Sequence, residues 1–257
     1  YTCPDHTAYY INTHPTQVKT AIQTLYEWVF HATFPKKSFE RERAVITREI
    51  EKNNANPKWQ FYQLANQNFY QSHPSQYPVI GWLDSFKSLK LEDLKRYYQK
   101  QYIASNMKIV IGGDINSDAI HTQVSNTFGK QPEYAPPLSP KGKEPIPFSK
   151  RTISKAFHTN VTQLSIRYPT VDLLSKDIYP LDLLEFILGN GENSILYKAL
   201  VEDKKLAYSV WVSSYTPLET SGYFEISVEI DLSNKESVIA EIQKIVAHIQ
   251  KGHVEKS

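Results

Sequence analysis

Two carboxylates set the chemical question for this sequence. In the segment Arg41-Glu42-Arg43-Ala44-Val45-Ile46-Thr47-Arg48-Glu49-Ile50-Glu51-Lys52, Glu42 and Glu49 stand seven residues apart. At ~100° per residue that is two helical turns, so they share a face. Phe39, Val45, Ile46 and Ile50 fall on the same face, with Arg43 and Lys52 at its margins, while Glu40, Arg41, Arg48 and Glu51 point away. A carboxylate buried in an apolar stripe without a partner costs several kcal/mol or takes up a proton. Such a position calls for a nearby cation, a hydrogen-bond network or a metal ion. Periodicity leaves all three open, and structural ion pairs commonly put acids in such stripes.

The other reactive side chains form no recognisable site. The eight histidines, His6, His14, His31, His73, His121, His158, His248 and His253, include neither a His-x-x-Glu-His nor a His-x-x-x-His spacing. For His6 and His73, as for the rest, the expectation is a surface or hydrogen-bonded core role. Cys3 is the sole cysteine, which excludes internal disulfides and multi-cysteine zinc sites and suits cytoplasm or periplasm equally. Gly189-Asn190-Gly191 follows a helix-like run and lacks a third glycine, so a helix-ending turn is expected in place of a phosphate loop.

The elements that must hold these residues are mixed. Val18, Ala21-Ile22, Leu25 and Trp28-Val29 make a helical stripe after an extended run at Thr7–Ile11. A second helix runs from about Ser38 to the Asn53-Asn54-Ala55-Asn56-Pro57 breaker, a third from Pro57 to about Tyr70, and a fourth over Leu91–Tyr98. A β-rich run, Met107–Ile111, ends at Gly112-Gly113-Asp114. Pro132, Pro136-Pro137, Pro140, Pro145 and Pro147 then read as a semi-stiff linker. Beyond it, strands are expected near Ile153–Phe157, Gln163–Tyr168, Ala207–Ser213 and Tyr223–Ile230, with helices over Leu181–Leu188, Ser194–Val201 and a last amphipathic run from Val238. The fold class is α+β in two related domains, residues 1–131 and 150–257, joined by a linker at 132–149.

The bulk numbers narrow the function classes. With 257 residues and 40 % hydrophobic content, the chain has material for two cores. Charge is nearly balanced, 29 Lys+Arg against 27 Asp+Glu, which gives no basis for nucleic-acid binding. No run approaches the ~20 apolar residues of a membrane span. The chain opens at Tyr1 without an initiator Met and closes at Ser257 after an amphipathic run, as expected of an internal piece of a longer protein.

The run Phe39–Pro57, FERERAVITREIEKNNANP, resembles a helix of the pitrilysin/insulinase-type zinc peptidases, the family that includes mitochondrial processing peptidase. There, one Glu near the helix start is followed by a second seven residues later, as Glu42 and Glu49 are here. Thr2, Asp5, Thr7 and Tyr9 are similar to the family's Thr-x-x-(Asp/Glu)-x-Thr-x-Tyr strand. His73-Pro74 with Tyr77–Gly81, and Asn106-Met107 with Gly113-Asp114, resemble its next two blocks. Leu188-Gly189, Ser194, Leu196 and Leu206–Val210 resemble a second-domain turn, helix and strand, although Ile195 stands where the family often has Arg.

The resemblance implies two domains, each a mainly antiparallel sheet with helices packed on it. It implies a zinc-dependent metalloendopeptidase acting on peptides or small proteins, with Glu49 a Zn²⁺ ligand and Glu42 a supporting acid. The family's inverted His-x-x-Glu-His motif lies upstream of the opening strand and therefore before Tyr1, so residues 1–257 alone are expected to be inactive. Zinc with an open position lowers the pKa of bound water toward ~7, so no covalent intermediate is needed. Substrate is expected to add as a strand to a sheet edge near Tyr1 and Thr2. A second half-molecule or partner subunit is implied as well. The alternative is a non-catalytic partner or structural subunit of the same family.

Overall fold

The structure, a computed structural model, describes residues 1–137, 142–145 and 149–252. Pro140 and Pro147 of the expected linker, and His253, lie outside the described residues. In chain order the helices are α1 (Val18–Phe30), α2 (Lys36–Asn54), α3 (Pro57–Phe69), α4 (Leu83–Ser88), α5 (Leu91–Gln101), α6 (Ser117–Thr127), α7 (Ile178–Gly189), α8 (Ile195–Tyr197), which runs into a π-helical turn at Lys198–Asp203, and α9 (Lys235–Gln250). The strands are β1 (Thr162–Pro169), β2 (Ser209–Tyr215) and β3 (Tyr223–Ile230). The architecture is α+β. Two compact units divide the chain, one made of Tyr1–Asn53 with Pro78–Lys141, the other of Asn54–Tyr77 with Gly142–Ser257.

The first unit is helical among its described residues. Its α1 stripe buries Ile22 and Val29, and Tyr26 and Phe30 pack on Phe128 at ring distances of 5.3 and 5.7 Å. The Tyr98 hydroxyl of α5 donates to the Val29 carbonyl at 2.7 Å, closing the C-terminal end of α1. The strands expected at Thr7–Ile11 and Met107–Ile111 do not form, and the antiparallel sheet implied for this domain is absent among the described residues. Both stretches lack helical structure, yet no neighbouring strand supplies a ladder, and an alternating side-chain pattern cannot make a strand without a partner for its N–H and C=O groups. Thr2 pairs instead with Thr7 in an isolated antiparallel bridge, so the chain start folds back on itself. That leaves no regular sheet edge of the kind implied near Tyr1 and Thr2.

The second unit holds the sheet, ordered β1-β3-β2 and antiparallel throughout. Alternation decides its two faces. Val210, Val212, Phe224, Ile226, Val228 and Ile230 point to a closed core completed by Leu188 of α7, Leu196, Leu200, and Val238 and Ile242 of α9. On the opposite face, Arg167 of β1 faces Glu225 of β3 and is met by α3: its Nη1 donates to Asn66 Oδ1 at 2.6 Å, and its Nε lies 3.1 Å from Glu225 Oε1. The guanidinium also stacks 4.1 Å from the centre of the Tyr223 ring. The expected strand at Ile153–Phe157 is absent, again without a pairing neighbour. Gly189-Asn190-Gly191 is a helix-ending turn, with α7 stopping at Gly189 and Gly191 at φ +81°.

Candidate functional site

The helix α2 carries both carboxylates. Its interior is built from good helix formers, Glu, Arg, Ala, Ile and Lys. Beyond its end, Asn56 caps α3 by accepting the Lys58 N–H at 2.9 Å, with Pro57 in the first turn, where its missing N–H is not needed. Ile50 of α2 is 1 % exposed, and Phe39, Arg43, Ile46, Thr47 and Asn53 are half-buried on the same side.

Glu42 and Glu49 are exposed, as is Val45 between them. The wheel expectation of acids inside an apolar stripe is therefore corrected. The inward stripe is narrower than the sequence suggests, because Val45 does not belong to it. Glu42 and Glu49 lie about 70–90° from its centre at ~100° per residue, on a solvent-facing strip. No burial penalty then demands a partner. Glu42 accepts from Arg41 Nε at 3.0 Å in a surface ion pair of little energetic weight. Glu49 has neither a hydrogen bond nor an ion pair among the described residues.

No group of three His, Cys, Asp or Glu side chains among the described residues is placed to hold a metal ion. Glu49 offers one oxygen donor of a kind Zn²⁺ accepts, but one donor is not a zinc site, and no chemical step through a metal follows from these residues. His6 and His73 are engaged locally. His6 Nδ1 lies 2.7 Å from Asp5 Oδ1 on the surface, whereas His73 is buried with Nδ1 2.9 Å from Ser75 Oγ.

Sequence reasoning missed the Arg167–Glu225–Asn66 cluster of the second unit. Its only sequence signal is a charged residue set among alternating apolar ones in each of two strands, which reads as solvent-facing until α3 is known to cover that face. Burial pushes the Tyr223 hydroxyl's pKa well above its ordinary range, although the Arg167 charge opposes this.

The family model described as Peptidase M16 inactive domain matches residues 88–257, and that of the insulinase-type peptidase family M16 matches residues 1–81. Over 254 residues the chain is 25 % identical to the zinc protease YmxG of Bacillus subtilis, covering 99 % of this chain and 61 % of that protein. The beta subunit of the mitochondrial-processing peptidase of Saccharomyces cerevisiae is 23 % identical over 268 residues, or 99 % of this chain and 58 % of its own. The crystal structure of a protease from Helicobacter pylori shares the fold with a TM-score of 0.86 at 22 % identity, over 95 % of this chain and 60 % of that one. The chain thus spans about three fifths of the length of these proteins.

Proposed function

We propose that this chain, which belongs to the M16 (insulinase-type) peptidase family, is part of a zinc-dependent metalloendopeptidase that hydrolyses peptides or small proteins by a metal-activated water. In this reading Glu49 is a zinc ligand and Glu42 the acidic residue beside it. The remaining ligands lie outside residues 1–257. Residues 1–131 are the remainder of the metallopeptidase domain, 132–149 the linker and 150–257 the second family domain. One observation carries the assignment. Glu49 is an exposed carboxylate without a partner among the described residues, two turns from Glu42, within the stretch matched by the insulinase-family model. A carboxylate free of competing cations is ready to serve as a ligand.

The test is metal analysis of the full-length protein before and after Glu49→Gln. Loss of zinc with the fold intact is the expected result, and unchanged zinc content would remove Glu49 from the site. Residues 1–257 alone should show no chelator-sensitive peptidase activity; such activity in a clean preparation would overturn the idea that the ligand set is completed elsewhere.

A second reading, a non-catalytic partner or structural subunit, is favoured by the inactive-domain match over residues 88–257 and by the yeast relative's being a subunit. Full-length protein that binds no zinc at all, with or without Glu49, would support it. Both readings include a second half-molecule or partner subunit that completes the assembly.

A further inference from the structure

In the second unit, three consecutive backbone N–H groups converge on one carboxylate, that of Glu144 from the Pro-rich stretch. Gln71 N donates to Oε1 at 2.8 Å. Ser72 N and His73 N donate to Oε2 at 2.9 and 2.8 Å, and the Ser72 hydroxyl adds a fourth bond to Oε2 at 2.9 Å. Glu144 is only 7 % exposed. Its own N–H donates to Oγ1 of the fully buried Thr220 at 2.8 Å, and the preceding Lys143 pairs with Asp172.

These donors are not the start of a helix. The short 3-10 turn begins at Pro74, and His73, its N-cap, accepts from Ser75 N through Nδ1. Successive N–H groups turned toward one point form an anion-binding nest, and charge-assisted bonds to such groups are the strong kind. Burial pushes the Glu144 carboxyl up, but the bonds from Gln71, Ser72 and His73 together outweigh it and hold the carboxyl below its ordinary value. Burial also holds the neighbouring His73 imidazole down, against the charges of Glu144 and Glu219. At neutral pH the ring is therefore not the counter-ion, and hydrogen-bond donors carry the carboxylate's charge.

Residues 142–145 belong to no helix or strand, so side-chain and cap contacts, not a ladder, seat them. We propose that Gln71-Ser72-His73 is a carboxylate-binding site occupied in cis by Glu144, and that seating of residues 142–145 is the reversible binding of this ligand. The donor set selects for two acceptor oxygens. Chloride cannot bridge both positions, and an amide would turn its NH₂ against a donor.

Amide exchange on the 257-residue chain tests this. Glu144→Ala should speed exchange at Gln71, Ser72 and His73 by about tenfold or more, with the β3 amides unchanged as a check that the unit is folded. Sodium formate should restore protection along a saturating curve, and chloride at equal ionic strength should not. Glu144→Gln should also lose protection but resist formate, because its side chain still fills the site. Wild-type exchange in both variants would overturn the proposal, as would a loss of protection that formate restores no better than chloride. If Glu144→Ala also exposes β3, Glu144→Gln decides alone: wild-type protection at Gln71–His73 would sink the carboxylate requirement, and selective loss there with β3 intact would uphold it.

Discussion

Val110 and Val228 both belong to β-rich runs, yet Val110 is 92 % exposed and Val228 only 2 %. Val228 sits on β3, the central strand, bonded on both sides and roofed by the closed core. Val110 lies in a run that no other strand accompanies. The contrast extends to the units as wholes. The second unit encloses a core spread over three strands and four helical segments, whereas the first buries few large side chains and displays, on α2, the acids of chemical interest. Among the described residues, stability and candidate chemistry are segregated.

Substitutions can sharpen or break that contrast. The largest effect should come from Arg167→Ala, which strands the Glu225 carboxylate beneath α3 and leaves Asn66 of that helix without its donor. Breaking a buried pair from one side costs about 3–5 kcal/mol, read as earlier urea unfolding and faster β3 exchange. Ile226→Ala, at a side chain 1 % exposed, should cost about 3 kcal/mol. Val45→Ala, 44 % exposed in the first unit, should change stability by no more than about 0.5 kcal/mol. A Val45 effect as large as that of Ile226 would show that the first unit has a core as demanding as the second.

The pH dependence of Glu144 comes next. Its folded carboxyl lies below the ordinary 4.5, so its contribution is fully present above that pH and is lost as pH falls through the lowered folded value. Wild type should therefore lose stability in acid more steeply than Glu144→Gln, with the nearby titratable groups His73, Glu219, Lys143 and Asp172 common to both proteins. Parallel urea-midpoint profiles between pH ~3 and ~6 would break this expectation. The smallest effect belongs to Glu49→Gln. In this chain it should leave stability within about 0.5 kcal/mol of wild type, so that any loss of zinc in the full-length protein can be read as loss of a ligand.

What the sequence made legible follows the same division. Apolar runs located α1, α7 and α9, cap and breaker residues located α2 and α3, and alternation located β1, β2 and β3, each to within a few residues; α5 was legible as well, although none of its residues is fully buried. The runs at 7–11, 107–111 and 153–157 carry a strand-like pattern too, but a pattern specifies a face and not a neighbour. The spacing of Glu42 and Glu49 was equally plain, whereas their exposure was not, since a wheel cannot tell where an apolar arc ends once Val45 is left outside it. Least legible was the Glu144 seat. An acid among prolines bonds to N–H groups more than 70 residues away, and no local signal announces such a distance.

The order in which the chain visits its units also bears on how it could be taken apart. It passes from one to the other at 53/54, 77/78 and 141/142. A protease that nicks only the last passage would leave α3 on the N-terminal fragment and the sheet on the C-terminal one. The Arg167–Asn66 bond and the Lys58–Glu229 pair would then bridge the cut, so the nicked protein should elute as one species until denatured. A recombinant piece begun at residue 142 would lack its lid helix, and α3 added as a separate peptide is the natural reagent to restore it.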